Sequence, residues 1–134
     1  MHVIVDTVIW SLALRRKEPD YLAQEALRSL IDDQRVLLLG PVRQEVLSGF
    51  SNEVQFNLLN EKLSSFENEN VADEDYLMAA KFYNICRKKG IQGSHVDFLI
   101  CAVAYRMNAE IYTTDGDFDY YSKHLPINLY LYYT

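Results

Sequence analysis

Short apolar runs alternate with helix-like segments along this chain, and that alternation limits its fold more than any other feature. The runs at 2–6 (HVIVD), 35–40 (RVLLLG) and 109–114 (AEIYTT) have the length and composition of buried strands. We predict two further strands, a short and poor one within 67–71 and a final one at 126–134. Because helical segments separate the strands, the chain is predicted to be an α/β protein with a mainly parallel sheet that helices cover on both faces.

The predicted helices follow from apolar spacing and from residues that favour helix ends. Pro41 suits the first turn of the helix after the second strand. Asp73 is predicted to cap a helix that Arg87, Lys88, Lys89 and Gly90 close. The predicted helical segments are 7–16, 21–32, 41–50, 53–66, 73–90 and 94–108.

Four acidic residues are placed where such a sheet gathers its ligands. Asp6 ends the first strand, and Asp115 closely follows the strand at 109–114. Glu45 lies in the first turns of the helix that follows the second strand, and Asp97 lies near the start of the apolar helix at 94–108. Since ligands bind beyond the carboxyl ends of parallel strands, these side chains are predicted to meet at one edge.

Asp97 is the most informative of the four. The helix that carries it is apolar on most faces, and an unpaired buried carboxylate there would cost several kcal/mol. A helix N-terminus or an arginine could compensate it. A cation shared with Asp6, Glu45 and Asp115 would compensate all four acids together.

Each acid also has a simpler explanation. Asp6 could cap the following helix, Glu45 could suit the helix dipole, and Asp97 could be an N-cap. The stretch TTDGDFD at 113–119 could be an ordinary turn around Gly116. These explanations are reasonable one at a time, but the convergence of all four acids in a parallel sheet favours a metal site. Oxygen-only ligands suit Mg²⁺ or Mn²⁺, which can activate water and clamp a scissile phosphate.

Composition limits the alternatives. The 134-residue chain fits one domain, and its net charge of -6 argues against a protein that binds nucleic acid through a broad basic surface. A bound cation would nevertheless reverse the sign locally. No apolar run approaches the roughly 20 residues that span a bilayer, and the N-terminus does not resemble a signal peptide. We therefore expect a cytoplasmic protein with no membrane partner.

The segments VIVDTVIW, VRQEVLSG, HVDFLICAVA and IYTTDGDF occur in that order over nearly the whole chain. Together they resemble the PIN-domain ribonucleases, specifically the VapC-type toxins of bacterial toxin–antitoxin pairs. The resemblance implies a small three-layer α/β/α sandwich with four or five strands, as a single nuclease domain over 1–134. It also implies an Mg²⁺- or Mn²⁺-dependent endoribonuclease, with RNA, a second copy of the chain and a cognate VapB-like antitoxin as partners.

The resemblance carries roles to matching positions. Asp6, Glu45, Asp97 and Asp115 match the four acids that bind the metal and catalyse hydrolysis in such nucleases. Supporting roles fall on Thr7, Thr113 and Asp117.

Three arginines are possible phosphate contacts, and they are Arg15, Arg16 and Arg43. The helix around FNLLNEKLSSF (56–66) could offer an apolar face to the antitoxin, although core packing or a dimer interface would need the same pattern. Two other functions stay open from the sequence. One is a PIN nuclease of RNA maturation, and the other is a non-catalytic module that binds protein or RNA.

Overall fold

A computed structural model describes residues 1–15 and 17–132. Within those residues the chain forms five strands and seven helices. In chain order the elements are β1 (Val3–Val5), α1 (Thr7–Leu14), α2 (Tyr21–Asp32), β2 (Val36–Leu39), α3 (Gly40–Ser48), α4 (Glu53–Leu63), β3 (Asn68–Glu69), α5 (Asp73–Lys88), α6 (His95–Met107), β4 (Glu110–Tyr112), α7 (Asp117–Ser122) and β5 (Asn128–Leu129). No helix in the described ranges is long and apolar enough to cross a membrane.

The strands form one sheet in the order β3-β2-β1-β4-β5, and every pairing between neighbours is parallel. Strand order reverses at β1, whose residues pair with β2 on one side and with β4 on the other. α1 packs against α2 and α3, and α3 packs against α4, whereas α6 packs against α5 and α7. For this strand order, the right-handed crossovers that parallel strands favour place these two groups of helices on opposite faces. This is the predicted α/β/α sandwich, and the crevice for a ligand lies where β1 meets β4.

The core lies between the sheet and its helices. All three residues of β1 are fully buried, and the side chains of α6 from Phe98 to Ala104 are buried as well. The prediction that α6 is largely interior is therefore confirmed. Asp75 at the start of α5 is also buried, and Arg106 at the end of α6 pairs with it at 2.8 Å, which ties these two helices together.

Several predicted boundaries were wrong. Ala72, and not Asp73, caps α5, because the carboxylate of Asp75 accepts the backbone N–H of Ala72 and so closes the first turn. The final strand β5 has two residues instead of nine, and residues 133–134 of the predicted strand lie outside the described residues. The stretch predicted as a possible turn continues into helix α7. The short strand within 67–71 is confirmed as β3.

Candidate active site

The carboxylate of Asp6 is the centre of the polar group at the carboxyl edge of the sheet. Asp6 directly follows β1, is only 6 % exposed and caps α1, so its Oδ1 accepts the backbone N–H of Thr7 at 2.8 Å. Its Oδ2 accepts the hydroxyl of Thr113 at 2.8 Å, just beyond β4. Asp6 is therefore a helix cap, as the simpler explanation held. Capping involves only Oδ1, and Oδ2 contributes to the polar group at the sheet edge.

Burial raises the pKa of Asp6 to about 6. Hydrogen bonds from Thr113 and Thr7 oppose this rise, while the negative charges of Asp97 and Asp115 add to it. Burial also raises the pKa of Asp97, with the charge of Asp115 contributing. The three aspartates therefore repel one another across the β1–β4 crevice.

Asp97 lies in the first turn of α6 and is half-buried. The N-cap of that helix is Ser94, whose Oγ accepts the backbone N–H of Asp97 at 3.0 Å. The simpler explanation of Asp97 as the cap is therefore wrong. Its own Oδ2 instead accepts the hydroxyl of Tyr121 at 2.7 Å.

Asp115 follows β4 in a short loop. Its backbone N–H donates to the Oγ1 of Thr113, and its Oδ1 accepts the backbone N–H of Asp117 at 2.9 Å. Asp117 is the first residue of α7 and its side chain is exposed. Thr113 thus links the carboxylate of Asp6 to the backbone of Asp115, which brings the ends of β1 and β4 together.

Glu45 joins the group from α3. It is exposed, and its Oε1 accepts the hydroxyl of Thr7 at 2.7 Å. Thr7 therefore connects Glu45 to Asp6 through its hydroxyl and its backbone N–H. A cleft of about 460 Å³ opens beside this connection, lined by Thr7, Pro41, Gln44, Glu45, Ser48, Gly49 and Val96.

The donor set is all oxygen, which suits Mg²⁺ or Mn²⁺. Among the described residues, no three His, Cys, Asp or Glu side chains already lie at the spacing of metal ligands. The carboxylates that a cation would draw together are instead turned to Thr7, Thr113 and Tyr121. A bound cation would partly neutralise the three aspartates, whose negative charges repel one another.

The arginines do not gather at the acids. Arg43 donates from Nε to Asn68, from Nη1 to the carbonyl of Leu63 and from Nη2 to the carbonyl of Phe66. These contacts hold its guanidinium against the segment between α4 and β3. Arg43 was expected to contact phosphate, and the structure gives it this role within the fold instead. Arg15 is exposed, with its Nε bound to the carbonyl of Glu18, and Arg16 lies outside the described residues.

Sequence reasoning missed two residues of this site. Ser94 was detectable, because a serine three residues before an aspartate at the start of an apolar run is a capping signal. Tyr121 was not, since it follows Asp97 by 24 residues and only the packing of α7 on α6 brings the two together.

Comparison with known proteins identifies the family of this chain. A family model described as "PIN domain" matches residues 3–124. The chain belongs to the PIN-domain family. It is 30% identical over 120 residues to the ribonuclease VapC11 of Mycobacterium tuberculosis and equally to a VapC ribonuclease of Mycobacterium bovis, in each case over 87% of this chain and 89% of the relative. This confirms the resemblance to VapC-type ribonucleases.

Solved structures show the same fold at low identity. FitAcB from Neisseria gonorrhoeae matches with a TM-score of 0.77 and 20% identity over 96% of both chains. The VapBC2 structure from Rickettsia felis, bound to a DNA fragment from their promoter, matches with the same TM-score and identity over 99% of this chain and 100% of the other. The PIN-like α/β sandwich is therefore confirmed.

Proposed function

We propose that this PIN-domain protein is a divalent-cation-dependent endoribonuclease and the toxin of a type II toxin–antitoxin pair. The observation that carries the proposal is the convergence of Asp6, Asp97 and Asp115 at the carboxyl edge of the sheet, where Thr113 and Tyr121 hold the carboxylates of Asp6 and Asp97. The VapC ribonucleases that the chain resembles support RNA as the substrate. In this proposal residues 1–134 form a single nuclease domain that acts in the cytoplasm.

Asp6, Glu45, Asp97 and Asp115 would hold Mg²⁺ or Mn²⁺. When bound, the cation supplies a Lewis acid that activates water and stabilises charge on the scissile phosphate. The chain contributes the orientation of the carboxylates. Thr7 and Thr113 each hold one oxygen of Asp6, and the hydroxyl of Thr7 also holds Oε1 of Glu45, so the orientation of both carboxylates is fixed by hydrogen bonds.

Asp117 has a supporting role through its backbone, because its N–H fixes the Oδ1 of Asp115. Phosphate binding is assigned to Arg15 and Arg16 in this proposal, because Arg43 donates three hydrogen bonds within the fold whereas Arg15 is exposed and donates one, from Nε to the carbonyl of Glu18. The net charge of -6 implies that RNA binding depends on a few such contacts and on the cation, and not on a broad basic face.

An antitoxin would bind the groove between α1, α2 and α4. This groove has a volume of about 600 Å³ and combines apolar side chains such as Leu14 and Leu58 with the polar Gln24 and Lys62. Val54 and Leu58 of α4 are 66% and 51% exposed, which leaves an apolar strip open to a partner. One structural neighbour, which matches with a TM-score of 0.61, is named as a toxin–antitoxin complex from Klebsiella pneumoniae, and this supports a partner of this kind.

A second copy of the chain would use a different face. Tyr76 and Leu77 of α5 are 57% and 62% exposed. A cleft of about 530 Å³ adjoins them, lined mainly by Ala79, Ala80, Tyr83, Val96, Phe98 and Leu99. Apolar surface of this extent on α5 and α6 is suited to a homodimer interface.

The test is thermal unfolding of the wild type, Asp97→Asn and Asp119→Asn, each with Mn²⁺ or with EDTA. Asp119 is an exposed acid of α7 and provides a matched control for the loss of one charge. At a hundredfold excess over Kd, Mn²⁺ should stabilise the wild type and Asp119→Asn by about 2.7 kcal/mol. Asp97→Asn should fold, lose this gain and lose RNA cleavage.

Two results would count against the proposal. RNA cleavage by Asp97→Asn at the wild-type rate would remove Asp97 from the site. A wild type that does not respond to Mn²⁺ would make the acids simple caps and turns, and the non-catalytic binding module would then be the better description.

A further inference from the structure

Tyr121 of α7 is a fully buried tyrosine whose hydroxyl contacts the acidic group. Its ring packs against Phe98 and Phe118, with centroid distances of 4.9 and 5.0 Å, and it has no exposed surface. Its hydroxyl donates to the Oδ2 of Asp97 at 2.7 Å. The aromatic packing leaves the hydroxyl little freedom, so the direction of this bond is fixed by the core.

Gly93 is fitted to the same hydroxyl. A Cβ atom at position 93 would lie 2.2 Å from the Tyr121 oxygen and 2.8 Å from its Cζ, and 2.9 Å from the ring of Phe98. Contacts this short do not occur in stable cores, so any side chain at 93 would displace the tyrosine. Gly93 and Asp97, which are four residues apart, thus form one arrangement with the distant Tyr121.

We propose that Tyr121 is a positioning residue for Asp97 and that Gly93 supplies the space this requires. By holding Oδ2, the hydroxyl fixes the carboxylate plane and leaves Oδ1 as the oxygen for a cation. Ser94 restrains the same residue through the backbone, since its Oγ accepts the Asp97 N–H. This inference rests on the proposed metal site and adds to it a determinant of cation affinity.

The experiment compares Tyr121→Phe with Tyr120→Phe. Tyr120 is the adjacent residue of α7 and is 55% exposed, and Nζ of Lys123 lies 5.1 Å from the centroid of its ring. Tyr120→Phe therefore makes the same chemical change away from the acids. Mn²⁺ affinity is measured by titration calorimetry at a temperature where each protein is fully folded. We expect Tyr121→Phe to bind Mn²⁺ about 10- to 100-fold more weakly, as for other residues that orient metal ligands. Tyr120→Phe should bind as the wild type does.

Measuring the Mn²⁺ affinity of folded protein separates a role in positioning Asp97 from a role in core packing. A purely structural tyrosine would lower the unfolding temperature in EDTA and leave the Mn²⁺ affinity unchanged, and that result would overturn the inference. Gly93→Ala is the second variant, because it displaces the hydroxyl without removing it. It should also weaken Mn²⁺ binding, and wild-type affinity in Gly93→Ala would contradict the inference even if Tyr121→Phe failed to fold.

Asp97→Asn distinguishes this inference from the proposed function. If the wild type binds Mn²⁺, Asp97→Asn does not, and Tyr121→Phe binds as the wild type does, only the role of Tyr121 is overturned. If Asp97→Asn binds Mn²⁺ as tightly as the wild type, the metal site itself is overturned together with it.

Discussion

At the scale of single residues, Asp6 combines a structural task with a chemical one. It caps α1 through Oδ1 and receives Thr113 on Oδ2, yet it remains destabilised as an anion because burial outweighs both hydrogen bonds. A residue kept for capping alone would be better exposed, as Asp20 is at the start of α2. This cost of burying the anion is what the proposed cation would offset.

The raised pKa of Asp6 predicts an unusual dependence of stability on pH. In EDTA, the group favours the folded state below its unfolded pKa of 3.8, and that contribution is lost as the pH rises through about 6. Asp6→Asn removes this titration, so the variant should be more stable than the wild type at pH 7 by about 1–3 kcal/mol. Urea unfolding from pH 4 to 7.5 measures the difference, which should shrink toward pH 4.

Asp20→Asn is the control for this prediction. Asp20 also caps a helix, accepting the N–H of Ala23 at 3.0 Å, but it lies outside the acidic group. Its substitution should not stabilise the protein at pH 7. Parallel pH curves for the wild type and Asp6→Asn would refute the electrostatic description of the site.

The sequence predicted which acids lie at the edge but not how they are held. The positions of Asp6 and Asp115 follow from strand ends, since parallel strands present their carboxyl ends together. Contacts between segments that are distant in the sequence could not be predicted from it. The bond from Tyr121 to Asp97 depends on how α7 packs, and the engagement of Arg43 depends on where the chain turns after α4.

At the scale of elements, the long periodic segments were predicted well and the short ones poorly. Apolar spacing identified α2, α5 and α6 because each buries one face or most of its surface. α7 was missed because six residues contain too little periodicity, and its aspartates and glycine favour turns locally. Packing of Tyr121 against Phe98 of α6, together with burial of Phe118, stabilises this helix.

The ion pair between α5 and α6 should contribute more to the free energy of unfolding than any other ion pair in the described part of the chain. Arg106 donates to Asp75, whose side chain is 1% exposed, so removal of the arginine leaves a buried anion without its partner. Arg106→Met should lower the free energy of unfolding by about 2–4 kcal/mol, somewhat less than for a fully buried pair because Arg106 is 32% exposed. Chemical denaturation at pH 7 measures this loss.

Arg35→Met is the matched comparison. Arg35 and Glu110 lie 3.7 Å apart and are each about 30% exposed, so their pair should contribute less than about 1 kcal/mol. Equal losses for the two variants would show that burial of Asp75 does not decide the energetics.

At the scale of the whole molecule, the protein presents two separate apolar surfaces on opposite layers of the sandwich. Val54 and Leu58 lie on α4, whereas Tyr76 and Leu77 lie on α5. The acid site lies at the carboxyl edge between these layers. A toxin that dimerises and is also bound by an antitoxin needs two surfaces of this kind, and the two should be separable by mutation.

Leu58→Asp and Leu77→Asp should have reciprocal effects. A charge at Leu58 would enter the groove beside α4 and should weaken antitoxin binding at least 10-fold while the dimer persists, because a desolvated unpaired charge costs several kcal/mol. A charge at Leu77 should convert the proposed homodimer to a monomer while binding of the proposed antitoxin persists. Sedimentation velocity measures the oligomeric state, and titration with a candidate antitoxin measures antitoxin binding. Since both leucines are more than half exposed, neither change should impair folding of the isolated chain, so loss of both properties in one variant would mean that a single surface serves both partners.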